Sequence, residues 1–242
     1  MITYLFDVDG TLTPSRCKID LAFHDEFLKF CKEHTVALVT GSDYEKTYEQ
    51  LGHYILNEVA YSFNCSGNTV YQCGRLIQAS DWTVAADLRS YLEHLLKESK
   101  YPGEKTGLHL EERAGTANFS IVGRNANTEQ RSHYYSWDCD HSERHTLATQ
   151  IRNNFLGIDA VVGGETGIDI FPVNCDKSQV LTWFDTGVVF FGDQCSKGGN
   201  DYALADAIIQ QDRGTVFQVS DWMHTRDILR GLYGEHILPI NH

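Results

Sequence analysis

The chain has 242 residues, 42% of them hydrophobic and 12% aromatic, so one large or two small domains can pack a core without disulfides. Its net charge of −13 argues against general nucleic-acid binding, because phosphate backbones require a basic surface. The seven cysteines form no Cys-x-x-Cys pair, no signal peptide precedes Asp7, and no run reaches the ~20 apolar residues of a membrane span. We therefore expect reduced thiols, a cytoplasmic location and no membrane partner.

Strand and helix patterns alternate along the first third of the chain. The helix predicted at 20–33 places Phe23, Phe27 and Phe30 on one face, as the helical period requires. This β-α-β alternation predicts a parallel, doubly wound sheet. In chain order, the predicted elements are a strand at 2–6, a helix at 20–33, a strand at 36–39, a helix at 45–51, a strand at 59–63 and a hairpin of residues 69–71 and 75–77.

The pattern changes in the middle of the chain, where helices alternate with hairpins. The predicted elements there are a helix from a cap at Asp81 to about Lys97, strands at 108–113 and 117–122, a helix starting at the capping box of Asn127, a helix at 143–155, and strands at 160–162 and 168–171. This pattern predicts an inserted α+β cap domain over residues 79–172.

The earlier alternation resumes after the cap, with a helix at 177–184, a strand at 188–191, a helix at 201–210, a strand at 215–219 and a helix at 225–233. Residues 1–78 and 173–242 are therefore predicted to form one core. The predicted fold class is α/β, a Rossmann-like doubly wound parallel sheet with the α+β cap inserted into it.

The first strand ends in a group of reactive side chains. Asp7 and Asp9 follow the apolar run Ile2 to Phe6, and two carboxylates so close repel each other unless a cation or a shared proton compensates. Gly10 permits a tight turn whose amides can surround an anion. An isolated Asp-x-Asp more often caps a helix, but the whole hexapeptide Asp7 to Leu12 after a strand favours phosphoryl chemistry with a divalent cation.

Three later positions follow the same pattern. Thr40 and Ser42 follow the second strand. Their hydroxyls could donate hydrogen bonds to a phosphate or stabilise a turn, and the sequence supports both roles equally. Asp193 ends the apolar strand at 188–191, and hard carboxylate ligands at such a strand end favour Mg²⁺. Lys177 opens a helix where it can neutralise carboxylates and a phosphoryl group, whereas Asp201 either holds the loop around the cation or caps its helix.

The chain resembles the haloacid dehalogenase superfamily, in its phosphotransferase form, at four motifs. In chain order these are Asp-x-Asp-Gly-Thr-Leu, Thr40/Ser42, Lys177 and Asp193. Within that superfamily the chain resembles the eukaryotic-type phosphomannomutase family along nearly its whole length. The segments that carry the closer resemblance are 7–16, 41–44, 49–52, 112–118, 123–124, 163–164, 169–172, 176–177, 190–193 and 198–201.

The resemblance implies a role for each matching residue. Asp7 would become the aspartyl phosphate, Asp9 would act as general acid/base, and Lys177 would support them. Asp7, Asp193 and the backbone carbonyl of Asp9 would hold Mg²⁺, with Asp201 beside them. The residues implied to bind the sugar phosphate are Thr40 and Ser42 at the reacting phosphate, Arg16, Arg113, Arg124 and Arg131 at the other phosphate, and Asn118 and Asp169 at the sugar.

The resemblance further implies a small phosphorylated sugar as substrate, a hexose bisphosphate activator and a homodimer formed through the cap. The leading hypothesis is a mutase that interconverts mannose 6-phosphate and mannose 1-phosphate through phospho-Asp7. The alternative is a Mg²⁺-dependent sugar-phosphate phosphatase, motivated by cap departures such as Gly167, where the family usually has a serine. A non-catalytic phosphosugar-binding protein is a third hypothesis, and the retention of every charged motif residue argues against it.

Overall fold

The computed structural model describes residues 2–233, with side chains as far as residue 231. This part of the chain forms two compact units. The core unit comprises residues 2–79, 176–197 and 201–233, and the cap unit comprises Ser80–Cys175 with Gly198–Asn200. Residues 234–242, which the sequence predicts to belong to the core, lie outside the described residues.

The core unit contains a seven-stranded sheet in the order β11-β10-β1-β2-β3-β4-β5. The strands from β11 to β3 are parallel, and β4 and β5 form the predicted hairpin at one edge. A parallel sheet in this order confirms the doubly wound prediction. The strands are β1 (Thr3–Phe6), β2 (Thr35–Val39), β3 (Tyr61–Asn64), β4 (Thr69–Gln72), β5 (Arg75–Ala79), β10 (Val188–Gly192) and β11 (Gly214–Gln218).

Alternate residues of the central strands pack against two different layers. Phe6 and Phe191 join one apolar cluster with helix residues such as Phe27, whereas Leu5 and Phe190 join a second cluster on the other face. Both faces are therefore buried, as expected for a parallel sheet. The core helices are α1 (Leu21–Glu33), α2 (Tyr44–Glu58), α6 (Tyr202–Gln210) and α7 (Trp222–Tyr233), with a 3₁₀ helix at Lys177–Trp183.

Helix α1 follows its predicted pattern. The side chain of Asp20 caps it by accepting hydrogen bonds from the amides of Ala22 and Phe23 at 3.0 and 3.1 Å. The residues on its apolar face are buried, as the helical spacing predicts. Helix α2 begins as predicted but continues to Glu58 after an interruption at Gly52, whose φ of +76° is outside the helical region.

The cap unit contains a four-stranded antiparallel sheet in the order β6-β7-β9-β8. Ala117 and Phe119 of β7 pack with the helices of this unit, and the alternation along the strand puts Asn118 on the other face. This sheet with helices on one face confirms the predicted α+β cap. The elements are α3 (Ala86–Glu98), β6 (Leu110–Arg113), β7 (Thr116–Phe119), α4 (Thr128–His141), α5 (Glu143–Asn154), β8 (Ile158–Gly163) and β9 (Gly167–Pro172).

Two predicted helices differ in the structure, one in where it starts and one in its type. Helix α3 begins at Ala86 and not at Asp81, because the amide of Val84 donates to the carboxylate of Glu112 at 3.2 Å and the preceding residues stay extended. The helix expected after Lys177 is a 3₁₀ helix capped by Asp176, whose side chain accepts from the amide of Ser178 at 2.7 Å. Within residues 2–233, every helix is too short or too polar to cross a bilayer.

Candidate active site

Asp7 lies directly after β1 and is 2% exposed. The following turn depends on Gly10, which has a φ of +85°. A Cβ atom at this position would lie 2.4 Å from the Oδ2 atom of Asp193, so both the backbone conformation and the available space require glycine. The sequence motif thus folds so that the β1 loop passes directly against the carboxylate at the end of β10.

Lys177 connects two of the predicted acidic residues. Its Nζ atom lies 2.6 Å from Oδ1 of Asp7 and 2.6 Å from Oδ1 of Asp201, and all three side chains are buried. Burial alone would lower the pKa of Lys177, but the carboxylates of Asp201 and Asp7 raise it above the ordinary value. Lys177 is therefore a buried cation that compensates the charge at the end of β1.

Asp7, Asp193 and Asp201 each place a carboxylate oxygen within 4.8 Å of the other two. Burial, partly opposed by Lys177, raises the pKa of Asp7 to about 8. The Oδ2 atom of Asp7 is buried and has no hydrogen-bond partner among residues 2–233. When all three carboxylates are ionised, they and the Lys177 ammonium carry a net charge of −2, so the oxygen donor set and the unpartnered oxygen fit a divalent cation.

The sequence left two roles open for Asp201, holding the loop around the cation or capping its helix, and the side chain does not make the cap. Asp201 stands at the start of α6, yet its carboxylate makes no capping hydrogen bond there. It accepts instead from Lys177 and from the amide of Gln194 at 3.1 Å. Asp201 therefore fixes the loop after β10 in addition to joining the acidic group.

Asp9 has a separate set of donors. Its carboxylate accepts from the amide of Arg16 at 2.6 Å, from Nζ of Lys46 at 2.8 Å, from Nε2 of Gln50 at 2.9 Å and from Oγ of Ser42 at 3.2 Å. Burial opposes the shift, but these donors together lower the pKa of Asp9 below its ordinary value. The carboxylate is thus oriented and kept ionised by four neighbours.

Lys46 and Gln50 were missed as functional candidates in the sequence. They lie four residues apart on α2, the spacing that places two side chains on one helix face. That spacing, directly after the Thr40 to Asp43 segment, was the available signal. Lys46 also donates to the hydroxyl of Ser42 at 2.9 Å, so it orients two predicted site residues at once.

The structure distinguishes the two hydroxyls that follow β2. Thr40 is buried, and its Oγ1 atom accepts from the amide of Ser42 at 3.1 Å, so it stabilises the turn. The hydroxyl of Ser42 donates to Asp9. Arg16 contacts Asp9 through its backbone amide, while its own side chain is exposed and its φ is +60°.

In the cap unit, Glu111 joins two of the predicted arginines. Its Oε1 atom accepts from Nε and Nη2 of Arg113 at 3.1 and 2.9 Å, and its Oε2 atom pairs with Nε of Arg124. Although burial opposes it, the two guanidinium groups lower the pKa of Glu111. The sequence singled out the arginines and missed the carboxylate between them.

The same network continues across the sheet to Asn118 and Asp169. Nη1 of Arg124 donates to Oδ1 of Asn118 at 3.3 Å, and Nδ2 of Asn118 donates to Oδ1 of Asp169 at 2.7 Å. Burial raises the pKa of Asp169, and the Asn118 amide and the arginines oppose this shift. Arg131 has a different partner, the exposed carboxylate of Glu165 at 3.4 Å. Four of the predicted cap residues therefore form one network around Glu111, and Arg131 is held separately.

Comparisons with known proteins identify the family. The family model for eukaryotic phosphomannomutase matches residues 23–234. A phosphomannomutase of Saccharomyces cerevisiae is 34% identical over 212 residues, covering 83% of each chain. A phosphomannomutase of Oryza sativa subsp. indica is 33% identical over 240 residues, covering 95% of this chain and 94% of its own.

Solved structures support the fold at much lower identity. SMU.1108c from Streptococcus mutans has a TM-score of 0.65 and 15% identity, covering 96% of this chain and 99% of its own. A haloacid dehalogenase-like hydrolase from Bacteroides thetaiotaomicron has a TM-score of 0.57 and 10% identity, covering 95% and 98%. At these identities the two matches show that the chain shares their fold. The chain belongs to the eukaryotic phosphomannomutase family.

Proposed function

We propose that the protein is a phosphomannomutase that interconverts mannose 6-phosphate and mannose 1-phosphate through a phosphorylated Asp7. The observation that supports this best is the environment of Asp7, a buried carboxylate whose Oδ1 atom accepts from Lys177 and whose Oδ2 atom has no partner in the part of the chain that the structure describes. A nucleophile needs such a free oxygen, and the neighbouring ammonium of Lys177 favours the ionised form of the carboxylate against the effect of burial. Family membership supplies the substrate class.

The reaction then consists of two phosphoryl transfers. Phospho-Asp7 gives its phosphoryl group to the free hydroxyl of the hexose monophosphate, and Asp9 accepts the proton of that hydroxyl. The resulting bisphosphate returns its other phosphoryl group to Asp7, and Asp9 protonates the sugar oxygen that leaves. Lys46, Gln50 and Ser42 hold the Asp9 carboxylate in place during both transfers.

Mg²⁺ is the cation that we propose for the acidic group. Asp7, Asp193 and Asp201 would hold it, together with the backbone carbonyl of Asp9. When bound, it neutralises charge on the transferring phosphoryl group. Lys177 remains in place beside it and compensates the excess negative charge of the three carboxylates.

The cap unit is proposed to bind the non-reacting phosphate and the sugar. Guanidinium groups match the geometry of a phosphate, and Arg113 and Arg124 are already held together by Glu111. Arg16 and Arg131 are the further phosphate ligands in this proposal, with Asn118 and Asp169 at the sugar hydroxyls. A hexose bisphosphate activator, a homodimer through the cap and a cytoplasmic location complete it.

³¹P NMR tests the proposal directly. The protein is incubated with mannose 1-phosphate, Mg²⁺ and a hexose 1,6-bisphosphate, and we expect mannose 6-phosphate with little inorganic phosphate. Asp7→Asn is expected to abolish the conversion and Asp185→Asn, an exposed control, to leave it unchanged. If inorganic phosphate is the sole new product, water discharges phospho-Asp7 and the protein is a phosphatase.

A further inference from the structure

The turn that follows β3 has an uncommon backbone conformation. Cys65, Ser66 and Gly67 are consecutive residues with positive φ angles of +49°, +60° and +93°. A residue other than glycine adopts this left-handed conformation at a cost, and it persists there only where the surrounding structure holds it. The Cys65–Gly67 turn is therefore kept in place by contacts with its neighbours.

One set of these contacts joins the turn to the segment after β2. The amide of Ser66 donates to the carbonyl of Thr40 at 2.8 Å. The amide of Cys65 donates to the carbonyl of Ser42 at 2.9 Å, and the hydroxyl of Ser42 donates to Oδ2 of Asp9 at 3.2 Å. The turn thus fixes the backbone of the residue whose hydroxyl orients Asp9.

The other contacts join the turn to the 3₁₀ helix that begins at Lys177. Nε2 of Gln179, on that helix, donates to the carbonyl of Ser66 at 2.8 Å, a hydrogen bond between residues 113 positions apart. A Cβ atom at Gly67 would lie 2.9 Å from Cγ1 of Val180 and 3.0 Å from Cγ of Gln179, so the turn packs directly on the helix. The side chain of Gln179 therefore links the helix of Lys177 to the turn.

We propose that Gln179 is a positioning residue for the phosphoryl transfer, because it holds the Cys65–Gly67 turn on the helix that carries Lys177. It thereby fixes Ser42, and through Ser42 the carboxylate of Asp9, relative to that lysine. Proton transfer at Asp9 depends on this arrangement, because a small displacement of a catalytic group costs much of the rate. This inference rests on the proposed function, because it assigns a further residue to the same reaction.

Gln179→Leu tests the proposal, because leucine keeps an apolar side chain beside Gly67 but cannot donate to Ser66. We expect kcat for the conversion of mannose 1-phosphate to fall about tenfold. KM should stay within about twofold of the native value, because the cap residues proposed to bind the substrate are unchanged. Gln210→Leu, at an exposed position in α6, is the control and should change neither constant.

Acetyl phosphate separates the positioning of Asp9 from a general loss of the site. In this reaction an oxygen of Asp7 bonds to the phosphorus atom, and the bond from phosphorus to the acetyl oxygen breaks. Acetate leaves as an anion and needs no proton from Asp9 at neutral pH. The rate of Asp7 phosphorylation, followed by intact mass spectrometry, should therefore fall less than about threefold in Gln179→Leu.

A second substitution tests whether the backbone of the turn carries the effect. Glycine adopts a φ of +60° without the cost that serine incurs, so the turn depends less on Gln179 when residue 66 is glycine. In the double variant Gln179→Leu/Ser66→Gly, kcat should recover to within about threefold of its value in Ser66→Gly alone. Thermal unfolding of each variant shows that the assays are run on folded protein.

The outcomes separate this proposal from the proposed function. If the native protein converts hexose phosphates and Gln179→Leu keeps the native kcat, the positioning proposal is wrong and the proposed function stands. Equal losses with mannose 1-phosphate and with acetyl phosphate would also overturn it, as would an equal loss of kcat with and without Ser66→Gly. If the native protein accepts acetyl phosphate but no hexose phosphate, the proposed function fails, and this inference fails with it.

Discussion

The ammonium group of Lys177 lies 2.6 Å from the carboxylate of Asp7, and both side chains are almost completely buried. The two residues are 170 positions apart in the chain, so the contact joins the first strand to the segment that follows the cap. A buried ion pair is weak evidence for stability, because desolvation offsets much of the attraction. Its value here is that the Lys177 ammonium partly opposes the rise in the pKa of Asp7 that burial causes.

Replacing Lys177 by methionine tests this role. Asp7 and Asp201 would then remain buried without their cation, which costs about 3–5 kcal/mol in comparable pairs. We expect the activity of Lys177→Met to be lower than that of the native protein by at least ~10²-fold. We also expect the variant to unfold at a clearly lower temperature in EDTA than in Mg²⁺. Lys32→Met removes an exposed lysine of α1 and is the matched control. Near-native turnover by Lys177→Met would refute the proposed role.

The acidic group makes a second prediction, which concerns the metal. Because the three carboxylates, when ionised, exceed the charge of Lys177 by two, removing divalent cations with EDTA should abolish activity and lower the thermal unfolding midpoint. Asp193→Asn removes one charged ligand and should raise the Mg²⁺ concentration for half-maximal activity by about tenfold or more. Asp185→Asn is the exposed control. Activity that survives exhaustive chelation would rule out the proposed metal site.

A third prediction concerns Lys46, whose ammonium helps to lower the pKa of Asp9. Without this donor the pKa of Asp9 rises toward its ordinary value, so a smaller fraction of the carboxylate is ionised at a given acidic pH. The acidic limb of the kcat–pH profile of Lys46→Met should therefore move to higher pH, with kcat lowered by about 10-fold or more and KM nearly unchanged.

Gln50→Leu removes a second donor to the same carboxylate and should shift the profile in the same direction. An additive effect of the two changes would indicate that each acts on Asp9 independently. If the acidic limb of the kcat–pH profile stays at its native pH in both variants, these donors do not hold Asp9 during turnover.

The sequence predicted the parts of the fold that depend on local pattern. The apolar face of α1 and the capping box at Asn127 follow from residues close together in the chain. The α2 extension was not predictable in the same way, because Gly52 looked like the end of a helix that in fact resumes after it. The amide of Val84 pairs with Glu112, 28 residues away, which no local signal near Asp81 reveals.

Some residues of the candidate site could likewise be predicted from local sequence signals, whereas others depend on contacts between distant parts of the chain. Asp7, Lys177 and Asp193 could be predicted because each ends a strand or opens a helix in a known order. Lys46 and Glu111 could not, since their roles depend on which carboxylate or guanidinium lies opposite them in space. Glu111 has the cross-strand partner Asn118, and that register becomes known only once β6 and β7 are paired.

The last prediction concerns Glu111, which accepts hydrogen bonds from Arg113 and pairs with Arg124. Glu111→Gln removes the charge that holds two guanidinium groups together, and their mutual repulsion should then separate them. Freed arginines attract an anion more strongly, but the loss of a fixed two-arginine geometry weakens phosphate binding more, because charge-assisted bidentate contacts depend on orientation. We expect KM for mannose 1-phosphate to rise about 3- to 10-fold, with phosphorylation of Asp7 by acetyl phosphate unchanged.

The neighbouring residue provides a closely matched control. Glu112 has the same side chain on the opposite face of β6, where it pairs with Arg89 and accepts from the amide of Val84. Glu112→Gln should leave KM within about twofold of the native value, because it does not touch the arginine network. A lower KM in Glu111→Gln would reverse the interpretation, since Glu111 would then compete with the phosphate for Arg113 and Arg124 and would not position them for it.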